Sequence, residues 1–192
     1  ANGVAISDSY AYVASASSGL VLVDITDPAN PVGSGIYNTP GQAYAVAVAG
    51  SYAYVADYDY GLRVINITDP AHPVETGYYD TPGNAYDVAI SGNYAYVADH
   101  ESGLRVVNIT DPAHPVESGY YITPESARGV SVSGNYAYVA DTWYGLRVVN
   151  ITDPANPVEV GYYDTSGWVR AVSVSGDYAY VADNEFGMRV MK

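Results

Sequence analysis

An all-β propeller of five blades is the fold this sequence predicts, and three observations predict it. The string AYVA begins at Ala11, Ala53, Ala95, Ala137 and Ala179, a constant step of 42 residues. A fixed period in the forties marks a repeat architecture. Each period holds four short runs rich in Val, Ile, Tyr and Thr, bounded by Gly, Pro, Asn and Asp, and no run has the apolar spacing of a helix. Four antiparallel strands in about 40–45 residues make one propeller blade. The 192 residues contain four full periods and 24 residues of a fifth. The fifth blade therefore lacks its outer strand. The expected blades are 1–42, 43–84, 85–126, 127–168 and an incomplete 169–192, all within one domain, 1–192.

The second unit shows the elements in order. AVAVAG (45–50) is the inner strand A, and YAYVAD (52–57) is strand B after a Gly-Ser turn. A loop ending at Gly61 leads to strand C, LRVINIT (62–68). DPAHP turns the chain into the outer strand D, PVETGYYD (73–80), and TPG returns it to the next blade. In strand B the side chains alternate, Tyr52 and Tyr54 to one face, Ala53 and Val55 to the other. One face of each blade is tall and the other low, so neighbouring sheets interdigitate. On this reading most of the 22 tyrosines, including those of the GYY strand, are core.

Composition narrows the partners. The net charge is −14, with seven Lys plus Arg against 21 Asp plus Glu. Binding phosphates needs clustered positive charge, so nucleic acid and anionic membrane surfaces are not expected partners. No apolar run approaches the length of a membrane span, and there is no cysteine. The chain starts at Ala1, as a mature exported chain or an excerpt would. NIT sequons at Asn66, Asn108 and Asn150 read as one strand sequence copied three times, not as occupied glycan sites.

The third strand of unit one reads LVLVD (20–24), and later units read LRVIN, LRVVN and LRVVN. Together with YAYVAD before it and ITDPANPV after it, this closely resembles the LVIVD-repeat β-propeller family, over nearly the whole chain. The resemblance implies a propeller of exported or surface-associated proteins, hence an extracellular or cell-surface location. It carries over no catalytic residues and no cofactor.

The differences between copies are concentrated on one face. In a four-strand meander the B–C and D–A connections open on the same side. The opposite side hardly varies: Asp27, Asp69, Asp111 and Asp153 each precede a proline and read as turn formers, with His72 and His114 standing where Asn30 and Asn156 do. The variable side gathers Tyr44, Tyr58, Tyr60, Tyr86, His100, Glu101, Arg128, Trp143, Tyr144, Trp168, Arg170, Glu185 and Phe186, including both tryptophans and the only phenylalanine. Aromatics and Arg are the residue types that anchor binding surfaces. A rim that changes from blade to blade suits one composite site better than the repeated pockets of a lectin.

No metal or other cofactor is expected. The acids of DYDYG (57–61) and DNEFG (183–187) are too few per loop to satisfy calcium, which wants six to eight oxygens. The inner strands carry a single acid, Asp87, where glycoside cleavage needs two. The recurring Asp57, Asp99, Asp141 and Asp183, with Arg63, Arg105, Arg147 and Arg189, read as scaffold hydrogen bonding. The expectation is therefore a non-enzymatic recognition module for a protein or glycan. The alternative is a structural block that self-assembles through the open edge of its last blade, and a lectin or glycosidase is the least favoured reading.

Overall fold

A computed structural model describes the whole chain, Ala1–Lys192. Five antiparallel sheets follow one another in the order the repeats dictate. Blade 1 holds β1 (Gly3–Ser7), β2 (Tyr10–Ala14), β3 (Leu20–Asp24) and β4 (Val32–Tyr37). Blade 2 holds β5 (Ala45–Ala49), β6 (Tyr52–Ala56), β7 (Leu62–Asn66) and β8 (Val74–Tyr79). Blade 3 holds β9 (Asp87–Ser91), β10 (Tyr94–Ala98), β11 (Leu104–Asn108) and β12 (Val116–Tyr121). Blade 4 holds β13 (Ala127–Ser133), β14 (Tyr136–Asp141), β15 (Gly145–Asn150) and β16 (Val158–Tyr163). Blade 5 has only β17 (Val169–Ser175), β18 (Tyr178–Asp183) and β19 (Gly187–Met191), so its outer strand is absent as the period requires.

Local chemistry explains the joints. The A–B hairpins turn at Gly50, Gly92, Gly134 and Gly176, all with φ near +55°, where Gly is unstrained; Asp8 takes the same place in blade 1 at φ 52°. The C–D turns are held by their aspartates. Asp69 Oδ1 accepts the Ala71 N–H at 3.1 Å and its Oδ2 meets His72 Nδ1 at 2.9 Å, while Asn30 Nδ2 donates to Asp27 at 2.8 Å. His and Asn thus serve the same turn. Asn66, Asn108 and Asn150 end their strands and accept the N–H two residues on, a turn-forming role for the sequon asparagines.

Blades stack tall against low. Tyr54, Ala56, Leu62 and Val64 of blade 2 form one core with Val88, Ala95, Val97, Val107 and Ile109 of blade 3. The equivalent residues form the cores between blades 1 and 2 and between blades 3 and 4. Each fully buried Leu, Val or Ile contributes about 1.5–3 kcal/mol, which makes these interfaces the main source of stability. The outer rim is tied by phenols: Tyr79 donates to Glu117 of the next blade at 3.1 Å, and Tyr121 donates to Glu159. Burial and the Glu117 carboxylate push Tyr79 up to about 12, so it stays a donor.

Two expectations need correction. The first tyrosine of each GYY strand is not core: Tyr78, Tyr120 and Tyr162 are more than half exposed and lie over Arg63, Arg105 and Arg147 at 4.5–4.8 Å from ring centroid to guanidinium. Neighbouring residues of a strand face opposite ways, so while Tyr79 and Tyr121 follow Leu62 and Leu104 toward the next blade, Tyr78 and Tyr120 turn the other way with Arg63 and Arg105. The stretch 142–144 is not a simple loop but a single 3₁₀ turn.

Five blades have only four cores. No core cluster joins blade 5 to blade 1, and no backbone hydrogen bond outside the sheets links them. The low face of blade 1 leaves Val4 and Ile6 exposed, at 63% and 68%, where Val46 and Val88, the equivalents of Val4, are buried and Val48 and Ile90, the equivalents of Ile6, are half-buried. The tall face of blade 5 leaves Met188 and Val190 exposed where Leu62 and Val64 are buried. The two seam faces are therefore the same complementary pair that packs at every internal interface.

Candidate functional site: the aromatic mouth of the axis

The D–A connections deliver Tyr44, Tyr86, Arg128 and Arg170 to the start of the inner strands, where they surround the axis. With Asn2, Gly3, Asp87 and neighbouring backbone they line an axial cleft of about 440 Å³. The B–C loops add Tyr58 and His100 from the same side. Tyr58 and His100 hold φ of 55° and 50°, a conformation uncommon for residues other than Gly, and each pairs as an isolated bridge with the next D–A connection, at Ala85 and Ala127.

The side chains form one continuous cluster. The rings of Tyr44, Tyr58 and Tyr86 lie 4.9–5.5 Å apart, and His100 sits 5.2 Å from Tyr86. Arg128 stacks over Tyr86 at 4.4 Å and reaches Trp168 at 5.1 Å. Arg170 covers Trp168 at 4.7 Å, and Trp168 stacks on Trp143 at 6.0 Å with planes 15° apart. Such cation–π contacts are worth about 0.5–2 kcal/mol each and preset the guanidinium groups. Burial and the Arg128 charge push His100 below its usual value, against the pull of Glu101 and Glu125.

Blade 4 shapes the far wall differently. Thr142 occupies the position of Tyr58 and His100, and a β-branched residue does not adopt positive φ readily. The chain instead forms the Thr142–Tyr144 turn, which brings Trp143 toward Trp168. Glu125 stands where Gly41, Gly83 and Gly167 stand in the other connections, and its carboxylate accepts the Trp143 N–H at 3.4 Å.

The remaining candidates lie apart from this cluster. Tyr60, Tyr144 and Phe186 each cover their own blade's arginine, Arg63, Arg147 or Arg189, at 4.8–5.6 Å. Glu101 and Glu185 are exposed, and neither carboxylate takes part in a hydrogen bond or ion pair. The loop aspartates are committed to the scaffold: Asp57 accepts from Thr39 Oγ1 at 2.5 Å and from the Gly41 N–H at 2.8 Å, and Asp99 repeats this with Thr81 and Gly83. Burial pushes both carboxyls up while these donors and the nearby arginines pull them down. Asp183 accepts from the Glu185 and Phe186 N–H groups and from Arg189.

Three features of the mouth escape a repeat-by-repeat reading. Arg128 and Arg170 are the two arginines outside the repeated strand-C position, and neither forms an ion pair. Arg128 Nε and Trp168 Nε1 are buried donors with no acceptor. The Nε atoms of Arg105 and Arg147 also lack a hydrogen bond, but they face Asp99 and Asp141 at 3.8 and 3.6 Å. Asp87 lines the cleft yet turns its oxygens to the wall, accepting the Val88 and Val130 N–H groups at 2.9 Å.

Antiparallel blades around a channel, with a single side-chain cluster at one mouth, define the chain as a β-propeller repeat protein. It belongs to the LVIVD repeat family, whose pattern matches residues 1–39, 40–81, 82–123, 124–165 and 166–190. No curated protein matches it. Among solved structures it is similar to a functionally unknown protein from Desulfotomaculum acetoxidans DSM 771, with a TM-score of 0.79 and 16% identity over 98% of this chain and 68% of that one. It is also similar to the computationally designed Ika4 protein, with a TM-score of 0.65 and 10% identity over 80% of this chain and 92% of that one. At these identities the likeness concerns the fold alone.

Proposed function

We propose that this protein is a non-catalytic recognition module, working outside the cell or at its surface, whose ligand seats in the axial mouth. The observation that carries the reading is the merging of non-repeated side chains into one cluster. Tyr44, Tyr58, Tyr86, Arg128, Trp143, Trp168 and Arg170 come from four D–A connections and two B–C loops and touch in sequence around one cleft. Preformed aromatic and guanidinium anchors on a rigid sheet scaffold lose little entropy on binding. The cleft presents one wall carboxylate already bonded to backbone amides and no assembled nucleophile and base.

An array of glycans and peptides tests this directly. The expected result is a set of hits that Trp143→Ala and Trp168→Ala each weaken at least tenfold with unchanged folding. An array without hits, or hits indifferent to both substitutions, would overturn the reading.

A second reading, self-assembly, is favoured by a different observation. Beside the unpaired strand β19 runs a groove of about 600 Å³ lined by Tyr138, Leu146, Val148, Tyr163 and Met191. In the complete blades an outer strand fills that space, and an exposed strand edge recruits another strand.

A further inference from the structure

We infer that the axial cleft takes an acidic sugar unit, one ring bearing a carboxylate, with the carboxylate held by Arg128 and Arg170. The inference rests on the recognition reading and names the ligand class of that same site. Four facts carry it. The chain is strongly acidic, yet its two arginines outside the repeated set both line this cleft and neither has a carboxylate within ion-pair distance. Both guanidinium groups lie against the ring of Trp168. Arg128 Nε and Trp168 Nε1 are buried donors that lack an acceptor, so the polar groups behind the cleft are not saturated by the protein itself. The only acid in the wall, Asp87, already spends its oxygens on the Val88 and Val130 amides and does not neutralise the arginines.

Size and charge choose among anions. A cleft of about 440 Å³ admits one or two rings, not a protein surface. A net charge of −14 repels a polyanion at long range, whereas one anionic group meets the arginines within a Debye length of about 8 Å at physiological salt. Aromatic walls cover the C–H faces of a sugar ring, and Arg pairs a carboxylate through two parallel hydrogen bonds. An acidic peptide would bring the charge but no ring for the Tyr44 and Tyr86 walls. The unit is either a free uronate or the end of a uronate-containing chain, and the chemistry at the arginines is the same.

Both tryptophans sit at this mouth, so intrinsic tryptophan fluorescence reads this site and no other. Titrations would use galacturonate, galactose, a galacturonate trimer and a tri-glutamate peptide. The expected result is a saturable change with galacturonate and at least tenfold weaker binding of galactose. Arg170→Gln, an exposed position that leaves the fold intact, should weaken galacturonate at least tenfold, and Arg128→Met should do the same. A trimer binding tenfold tighter than the monomer identifies a chain end as the source; equal affinity identifies the free sugar. Equal binding of galactose and galacturonate overturns the acidic-sugar inference but leaves the recognition reading standing, as does binding of tri-glutamate alone. No fluorescence change with any probe overturns the inference, while the recognition reading then stands or falls on the array.

Discussion

Strand D of blades 1, 2 and 3 carries a glycine that faces the C–D turn of the next blade, and Gly161 holds the same position in blade 4. A Cβ added at Gly119 would sit 2.5 Å from the Ala155 carbonyl oxygen and 2.6 Å from that of Pro154, about an ångström inside ordinary contact with rigid backbone. At Gly161 the same added Cβ meets nothing within 4 Å, because blade 5 has no C–D turn. Overpacking of this kind costs roughly 1–3 kcal/mol, and Ala recovers about 0.5–1 kcal/mol of the strand penalty of Gly. Gly119→Ala should therefore lose about 1–2 kcal/mol net and Gly161→Ala should gain about 0.5–1 kcal/mol. For a chain of this size 1 kcal/mol moves the midpoint by about 2–4 °C. Calorimetric melts in dilute solution should show Gly119→Ala down by roughly 2–8 °C and Gly161→Ala up by roughly 1–4 °C. If both variants fell together, the space beside blade 5 would not be open and the argument for an unfilled slot would fail.

Asp87 gives a pH signature. Burial pushes its carboxyl up to about 6 despite two amide donors. The folded state then binds the proton more tightly than the unfolded chain, so its contribution to stability is full below about pH 4 and is lost as pH rises to about 6. The loss is at most about 3 kcal/mol, reduced because Asp87 is only half-buried at the cleft wall. Stability measured against pH for Asp87→Asn, subtracted from wild type, should show this falling step; a flat difference curve would count against it. Self-assembly through the β19 edge or the seam predicts a mass that grows with concentration in mass photometry, and a concentration-independent monomer would remove that reading.

The period alone made the blades, the missing outer strand and the tall and low faces legible, because strand alternation is a local rule and the repeat copies it faithfully. Position within a connection decided which candidates reached the axis. Tyr44, Tyr86, Arg128 and Arg170 stand just before or at the start of inner strands, whereas Tyr60, Tyr144 and Phe186 lie two residues past the Tyr58, Thr142 and Asn184 positions of the B–C loop, nearer strand C and over its arginine. That distinction was readable from spacing. The exposure of Tyr78, Tyr120 and Tyr162 was readable too, since alternation lets only one tyrosine of each GYY pair face the next blade. The seam was not, because a strand pattern names the face a blade offers but not the neighbour that accepts it. Thr142 was a partial signal: its β-branch argued against the backbone of Tyr58 and His100, but the turn that replaced it depended on Glu125 nearby.

A split ring has two edges, and the blade at one of them carries one of the two arginines of the cleft. The core between blades 4 and 5 has six buried apolar residues where each of the others has ten. Of the five blades, blade 5 is held by the smallest core, and any loosening of it separates Arg170 from Arg128. A guest spanning those two arginines would act as a staple across the weakest joint. Occupancy and order of the terminal blade become a single equilibrium, and how long the guest stays is set by how often that blade lets go.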